Sequence, residues 1–90
     1  MALFIIERNF AEDLDVDADT VTAVSEINAA CGVKWLNSFL SADKRKTYCL
    51  YEARNADDIR EAARRANIPA DSIVEIGDNL QPEVILGGSR

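Results

Sequence analysis

The stretch from Trp35 to Glu52, WLNSFLSADKRKTYCLYE, constrains the fold more than any other part of the chain. Its two flanks alternate bulky and smaller side chains, are rich in aromatic residues and show little helical periodicity, which is typical of β-strands. The charged run DKRK, which begins at Asp43, predicts a turn between them. We therefore predict two consecutive strands, over residues 33–40 and 47–53.

Four further segments carry strand or helix patterns. Apolar, β-branched runs predict strands over Leu3–Arg8 and Ile73–Ile76. Helical spacing predicts a helix that ends at Gly32, with acidic capping residues before it, and a second helix from Asn55 to just before Pro69. The apolar positions of the first helix are Val21, Val24, Ile27 and Cys31, and those of the second are Ile59, Ala62, Ala63 and Ala66.

This order, β-α-β-β-α-β, is that of a ferredoxin-like α+β sandwich, in which two helices cover one face of an antiparallel sheet. The expected strand order is 4-1-3-2, with the first and third strands central and parallel to each other. We assign residues 1–78 to the ferredoxin-like domain and residues 79–90 to a C-terminal tail. In the tail, Pro82–Leu86 is interpreted as an edge strand, and the glycine-rich end after it is expected to be flexible.

Composition limits the classes of function open to the chain. Its 90 residues fit one small domain of modest stability, to which dimerisation would add. A net charge of −6 argues against a nucleic-acid partner, because an acidic surface repels phosphate backbones. No apolar run is long enough for a membrane span, and the N-terminus lacks the basic segment of a signal peptide. With Cys31 and Cys49 interpreted as free thiols, we predict a cytoplasmic protein.

Side-chain alternation predicts which strand residues face away from the helices. In the first strand, Phe4 and Ile6 point to one face and their neighbours to the other. The residues that we assign to the helix-free face are Leu3, Ile5, Glu7, Trp35, Asn37 and Phe39. These side chains would form a large exposed apolar patch on a monomer. We therefore predict a homodimer that pairs through the helix-free sheet face, as in dimeric α+β barrels.

The third strand has two alternative orientations, which depend on the length of the turn before it. With an odd turn, the residues that share a face with Asn37 are Thr47, Cys49 and Tyr51. With an even turn, they are Tyr48, Leu50 and Glu52. We favour the odd turn.

The parallel arrangement of the central strands brings Glu7 and Tyr51 to the same edge of the sheet. Asn37 and Glu75 lie at that edge too, and Trp35 is at its rim. Polar groups among large apolar residues need partners or a ligand, so this edge is our candidate ligand-binding pocket. Most of these residues also have an alternative interpretation that involves no ligand. Glu7 would form a salt bridge at the surface and Asn37 a local hydrogen bond. Trp35 and Tyr51 would be packing residues.

Several common chemistries have no basis in the sequence. The chain contains no histidine, so it lacks the usual general base and the usual metal ligand. Its two cysteines lack the spacing of a zinc site, and its glycines form no phosphate-binding loop. The acidic segment Asp13–Asp19 lacks the glycine and the final glutamate of a calcium-binding loop.

Three segments together resemble a known family: ERNF from Glu7, WLNSFLSADKRKTYCLYEA from Trp35 and IREAARRANIPADSI from Ile59. Their order and spacing resemble those of the DUF4242 family of small bacterial nickel-binding-like proteins, over nearly the whole chain up to about Glu75. The resemblance implies a ferredoxin-like domain that pairs into dimers and that, as in some members of the family, binds nickel.

The metal ligands implied by this resemblance are only partly present. The family pattern has histidines where this chain has Asn37 and Ala62, and imidazole suits Ni²⁺ far better than a carboxamide or a methyl group. Glu7, Cys49 and Tyr51 are retained. The resemblance therefore implies a weaker oxygen and sulfur site, with Glu7 and Cys49 as the metal ligands.

Three functional hypotheses follow. The first is a small dimeric binding module that holds a small ligand or a weakly bound divalent metal at the edge containing Glu7, Asn37 and Tyr51. The second is a cofactor-independent enzyme like the dimeric α+β-barrel monooxygenases and isomerases, which needs a carboxylate of raised pKa in a dry pocket. The third is a structural or regulatory protein without a small-molecule site.

Overall fold

The computed structural model describes residues 1–87, which form four strands and three helices. The elements are β1 (Ala2–Asn9), α1 (Ala18–Ala30), β2 (Lys34–Leu40), β3 (Lys46–Ala53), α2 (Ala56–Ala66), β4 (Ser72–Glu75) and α3 (Pro82–Gly87). All elements predicted as far as β4 are present in the predicted order. Asp17 caps α1 and Asn55 caps α2, each by accepting a hydrogen bond from a backbone N–H three residues on.

The four strands form one antiparallel sheet in the order β2-β3-β1-β4. This confirms the predicted strand order and the ferredoxin-like fold. The prediction that the two central strands are parallel was wrong, because β1 and β3 are antiparallel. A helical crossover makes β1 and β2 run the same way, and the β2–β3 hairpin reverses the chain between them. The end of β1 therefore lies beside the start of β3.

The strand expected over Pro82–Leu86 is a short helix, so that interpretation was wrong. Proline is well suited to the first position of a helix, and Glu83 lies in the first turn, where an acid complements the helix dipole. The division between domain and tail at residue 78 stays a prediction. Gly87 ends α3, and the rest of the end expected to be flexible, residues 88–90, lies outside the described residues.

The core lies between the sheet and the two long helices. The buried residues of β1 and β3 are Phe4, Ile6, Arg8, Thr47, Cys49, Tyr51 and Ala53. From α2, Ile59 is fully buried against them. Leu40 pairs with Thr47 across a loop of even length, so Asn37 shares its face with Leu50. The even-turn alternative for β3 is therefore the observed one, and the preferred odd-turn orientation was wrong.

A β-bulge in β2 changes the face on which Trp35 lies. Trp35 pairs with Tyr51 and Asn37 pairs with Leu50, so Leu36 is an extra residue in the strand. Trp35 therefore packs on the helix side, while Asn37 and Phe39 lie on the helix-free side. The placement of Trp35 on the helix-free face was wrong, because the bulge interrupts the alternation on which it was based. Among residues 1–87, no helix has the length and apolarity needed to cross a bilayer.

Candidate functional site

A pocket of about 550 Å³ lies on the helix side of the sheet, beneath the N-terminal half of α1. Its walls are mostly apolar and include Leu14, Val21, Val24, Trp35 and Leu40. This volume is within the usual range of small-molecule sites, roughly 300–1,000 Å³. The molecule therefore has room for a small organic ligand between its layers.

The pocket exists because α1 packs loosely on the sheet. Asn28 is the one buried residue of this helix, whereas Val21 and Val24 are half-buried. These valines line the pocket and have short side chains. The apolar stripe of α1 therefore borders a gap at the N-terminal end of the helix and meets the core near Asn28.

A hydrogen-bonded group of three polar side chains connects β1, β3 and α1 at the base of the pocket. Arg8 is only 3% exposed, and its guanidinium donates to the Pro69 carbonyl oxygen at 2.6 Å. A second guanidinium nitrogen donates to the Tyr51 hydroxyl at 3.3 Å, and the Asn28 amide donates to the same oxygen at 3.3 Å. Both Arg8 and Tyr51 line the pocket. The base of this mostly apolar pocket therefore contains a positive charge and a phenol.

Burial raises the pKa of Tyr51, and the nearby positive charge of Arg8 opposes this rise only in part. The phenol is therefore protonated at neutral pH. Its oxygen accepts hydrogen bonds from Arg8 and Asn28, which leaves its proton to be donated elsewhere. The Tyr51 hydroxyl can thus donate to a ligand atom in the pocket.

The aromatic wall of the pocket is held in place from two sides. The rings of Trp35 and Tyr51 are stacked, with centroids 6.3 Å apart and planes at 20°. The Trp35 indole N–H donates to the Ser38 hydroxyl at 2.7 Å. Cys49 lies on the same face, with its Sγ 3.5 Å from the Thr47 hydroxyl oxygen. Both Cys49 and Cys31 are free thiols, as predicted.

The structure brings together three of the five predicted ligand-binding residues. Trp35 and Tyr51 line the pocket from the helix side, and Asn37 borders it next to the β-bulge, although it pairs with Leu50 on the other face. Glu7 does not, because it lies on the helix-free face, 3.5 Å from the Lys46 ammonium group. Glu75 pairs with Phe4 of β1 and is exposed, away from the end of β1 that carries Glu7. The predicted convergence of all five residues was wrong, since it depended on parallel central strands.

The predicted metal ligands are also separated. Cys49 pairs with Ile6 and points to the helix side, whereas Glu7 pairs with Tyr48 and points to the other side. Among residues 1–87, no three histidine, cysteine, aspartate or glutamate side chains lie close enough together to hold a metal ion. The donor set of this chain therefore does not fit a nickel site built from Glu7 and Cys49.

The sequence reasoning missed Arg8, which lines the pocket, and Asn28, which donates to the Tyr51 hydroxyl. Each has a signal in the sequence. Arg8 continues the alternation of Phe4 and Ile6 and so belongs to their buried face. Asn28 lies four residues after Val24, which places it on the same helical stripe. A charged residue and an amide on apolar faces indicate a buried polar network.

A family model described as nickel responsive protein SCO4226-like matches residues 4–76, which is most of the chain. The chain belongs to this family. The finer DUF4242 label stays a prediction. No curated protein sequence matches this SCO4226-like chain.

A crystal structure of SCO4226 from Streptomyces coelicolor A3(2) is similar to this SCO4226-like protein. The TM-score is 0.68 at 19% sequence identity, and the match covers 88% of this chain and 100% of the other. At this identity, the likeness supports the shared fold and says nothing about a shared ligand.

Proposed function

We propose that this SCO4226-like protein is a small binding module that holds a small, largely apolar molecule between α1 and the sheet. The observation that carries the proposal is the pocket of about 550 Å³, with apolar walls and with Arg8 and Tyr51 at its base. Most small-molecule sites combine an apolar lining with a few fixed polar groups, which orient the ligand.

The half-buried residues of the pocket wall support this proposal. Val21, Val24 and Trp35 keep part of their apolar surface open to the pocket. A ligand that covers this surface removes it from water, and each Å² of apolar surface covered contributes about 25 cal/mol. Ligand binding therefore completes the packing of α1 on the sheet.

Nickel is the other ligand class to consider, because the family description contains the words nickel responsive. Nickel prefers imidazole and thiolate ligands, and this chain has no histidine. Cys49 is one thiol in the pocket, and no aspartate or glutamate of residues 1–87 lines the same pocket. The pocket is therefore better suited to an organic ligand than to a metal ion.

The proposed functional unit is a homodimer that pairs through the helix-free sheet face. Apolar side chains on all four strands are exposed there: Leu3, Ile5, Phe39, Tyr48 and Val74. Phe39 is the most exposed of them, at 68%. A second copy of the chain that covers this face removes a contiguous apolar patch from water. We further place the protein in the cytoplasm, which agrees with its two free thiols.

The pocket can be tested with a neutral fluorescent probe, N-phenyl-1-naphthylamine. The chain has a single tryptophan, Trp35, and it lines the pocket. Saturable binding should therefore quench Trp35 emission by energy transfer to the probe. In a Val24→Phe variant, whose larger ring fills part of the pocket, probe affinity should fall roughly tenfold.

The matched control is Val74→Phe, on the helix-free face. It makes the same change in side chain outside the pocket, and it should leave probe affinity unchanged. The proposal fails if the probe does not bind. It also fails if Val74→Phe weakens binding and Val24→Phe does not, because the probe would then occupy the sheet face.

A further inference from the structure

Arg8 is a buried cation that has no carboxylate partner in the described part of the chain. It is 3% exposed, and its hydrogen-bond acceptors are the neutral oxygens of Pro69 and Tyr51. The cations that do form ion pairs within residues 1–87 lie nearer the surface: Arg45, Lys46, Arg54, Arg60, Arg64 and Arg65. A charge removed from water without an opposite charge is costly, so an anion at Arg8 would offset that cost.

The electrostatic character of the pocket is opposite to that of the whole chain. The net charge of the protein is −6, yet no aspartate or glutamate of residues 1–87 lines the pocket. Arg8 is the charged residue of the described lining. An anion that enters the pocket therefore meets a positive charge in apolar surroundings, where charge interactions are stronger than in water.

The donors at the base of the pocket fit a planar monoanion. A guanidinium carries five N–H groups, and the observed bonds of Arg8 use one nitrogen toward Pro69 and one toward Tyr51. The Tyr51 hydroxyl lies beside this guanidinium and has a proton to donate. One guanidinium and one phenol suit the two oxygens of a carboxylate, whereas a phosphate dianion would need more donors and charge.

We propose that the ligand is an amphipathic monoanion, a carboxylate on an apolar body, with its carboxylate bound by Arg8 and Tyr51. Its apolar body lies against Trp35 and the valines of α1. This inference rests on the proposed function, because it names the class of ligand for the same pocket. The shape of the site agrees with it, since polar donors are at the base and apolar surface lies along the walls.

The test compares carboxylates with uncharged analogues of the same shape. Hexanoate, octanoate and decanoate are titrated into the unaltered protein by calorimetry at neutral pH and constant ionic strength. Hexanamide, octanamide and decanamide are titrated under the same conditions. The best carboxylate should bind about tenfold or more tightly than its amide, because a hydrogen bond to a charged group contributes more than one between neutral groups.

Three variants locate the preference for a carboxylate. Arg8→Gln should abolish the difference between acid and amide. Lys46→Gln removes a cation from the neighbouring strand on the helix-free side, and it should leave the difference intact. Arg8→Lys keeps the charge without the planar group and should retain part of the preference. If Arg8→Gln does not fold, the affinities for acid and amide in the unaltered protein and in Lys46→Gln still test the inference.

The outcomes separate this inference from the proposed function. Equal affinity for acid and amide overturns the inference and leaves the pocket as a site for neutral ligands. Binding of N-phenyl-1-naphthylamine without binding of any carboxylate also overturns the inference and leaves the pocket as a site for neutral ligands. If neither the neutral probe nor a carboxylate binds, the proposed function fails as well. Loss of the preference in Lys46→Gln also overturns the inference, because the anion would then lie on the other face.

Discussion

The Arg8 guanidinium lies over the Tyr51 ring, 5.5 Å from its centre, and also donates a 3.3 Å hydrogen bond to the Tyr51 hydroxyl. The two residues lie on the neighbouring strands β1 and β3, and Asn28 of α1 donates to the same hydroxyl. One phenol oxygen thus connects both central strands to the helix that covers the pocket. Through the bond from Asn28, this oxygen helps to hold α1 over the pocket.

Removal of that oxygen should therefore destabilise the protein. Tyr51→Phe leaves one N–H of Arg8 and one of Asn28 without an acceptor in a buried site. We expect the free energy of unfolding to fall by about 1–3 kcal/mol, as measured by urea denaturation. Tyr48→Phe is the matched control, because Tyr48 is 41% exposed, and its effect should stay within about 0.5 kcal/mol. Equal effects of the two variants would contradict the role of the hydroxyl.

Acid should weaken α2 through Glu61. This carboxylate accepts hydrogen bonds from Arg64 and Arg65, which lower its pKa from 4.5 to about 2. Because the folded-state pKa is the lower one, the stabilisation is present above pH 4.5 and is lost as the pH falls toward 2. Glu61→Gln should thus be less stable than the unaltered protein at neutral pH, and the difference should disappear in acid.

Thermal denaturation from pH 7 down to pH 2, at low salt, measures this difference. Glu12→Gln serves as the control, since Glu12 is exposed and forms no ion pair within residues 1–87. The effect should be small and should weaken with added salt, because all three charges of the Glu61 group are at the surface. A constant difference across the whole pH range would contradict the assignment to Glu61.

The order of strands and helices could be predicted from the sequence because their signals are local. Asn55 before an apolar stripe indicates a helix start, and β-branched runs indicate strands. The faces of β2 and β3 could not be predicted in the same way. The bulge at Leu36 follows from how β2 pairs with β3, and the orientation of β3 follows from the loop between them. Neither leaves a signal in single residues.

The candidate site was only partly predictable for the same reason. The sequence predicts Trp35 and Tyr51 at one edge of the sheet, and the structure stacks their rings, but on the face opposite to the expected one. The alternation that places Glu7 on one face of β1 places Arg8 on the other, buried face. When β1 is taken as strictly alternating, the buried position after Ile6 is Arg8.

The bulge predicts an unusual tolerance to deletion in β2. Leu36 has no partner in β3, so its deletion leaves Trp35 opposite Tyr51 in an uninterrupted ladder. Deletion of Ser38 instead places Asn37 opposite Cys49, on the helix side, and removes the hydroxyl that accepts from the Trp35 indole. We expect the Leu36 deletion to fold with Trp35 still packed, and the Ser38 deletion to lose about 2 kcal/mol or more of stability.

Near-ultraviolet circular dichroism of Trp35, followed through urea denaturation, compares the two deletion variants. A Leu36 deletion with the larger loss of stability, or one that loses the Trp35 signal, would contradict the bulge.

The proposed homodimer predicts a specific effect of charge on the helix-free face. Val74 lies on this face and is 58% exposed, and Val84 of α3 is exposed to the same extent, at 58%. In a dimer that pairs sheet to sheet, Val74→Glu buries two added carboxylates, which costs several kcal/mol. Val84→Glu adds the same charge away from the sheet. Sedimentation velocity over a range of concentrations should show a dimer for the unaltered protein and for Val84→Glu.

The Val74→Glu variant should sediment as a monomer at the same concentrations, with its helical and strand content unchanged by circular dichroism. A stable interface of ordinary size covers roughly 800 Å² on each partner, which is enough to extend over the edge strand β4 that carries Val74. If the unaltered protein is monomeric throughout, or if both variants dissociate equally, the helix-free face is not the dimer interface. Probe binding in the pocket should survive in Val74→Glu, because the pocket lies on the helix side of the same sheet.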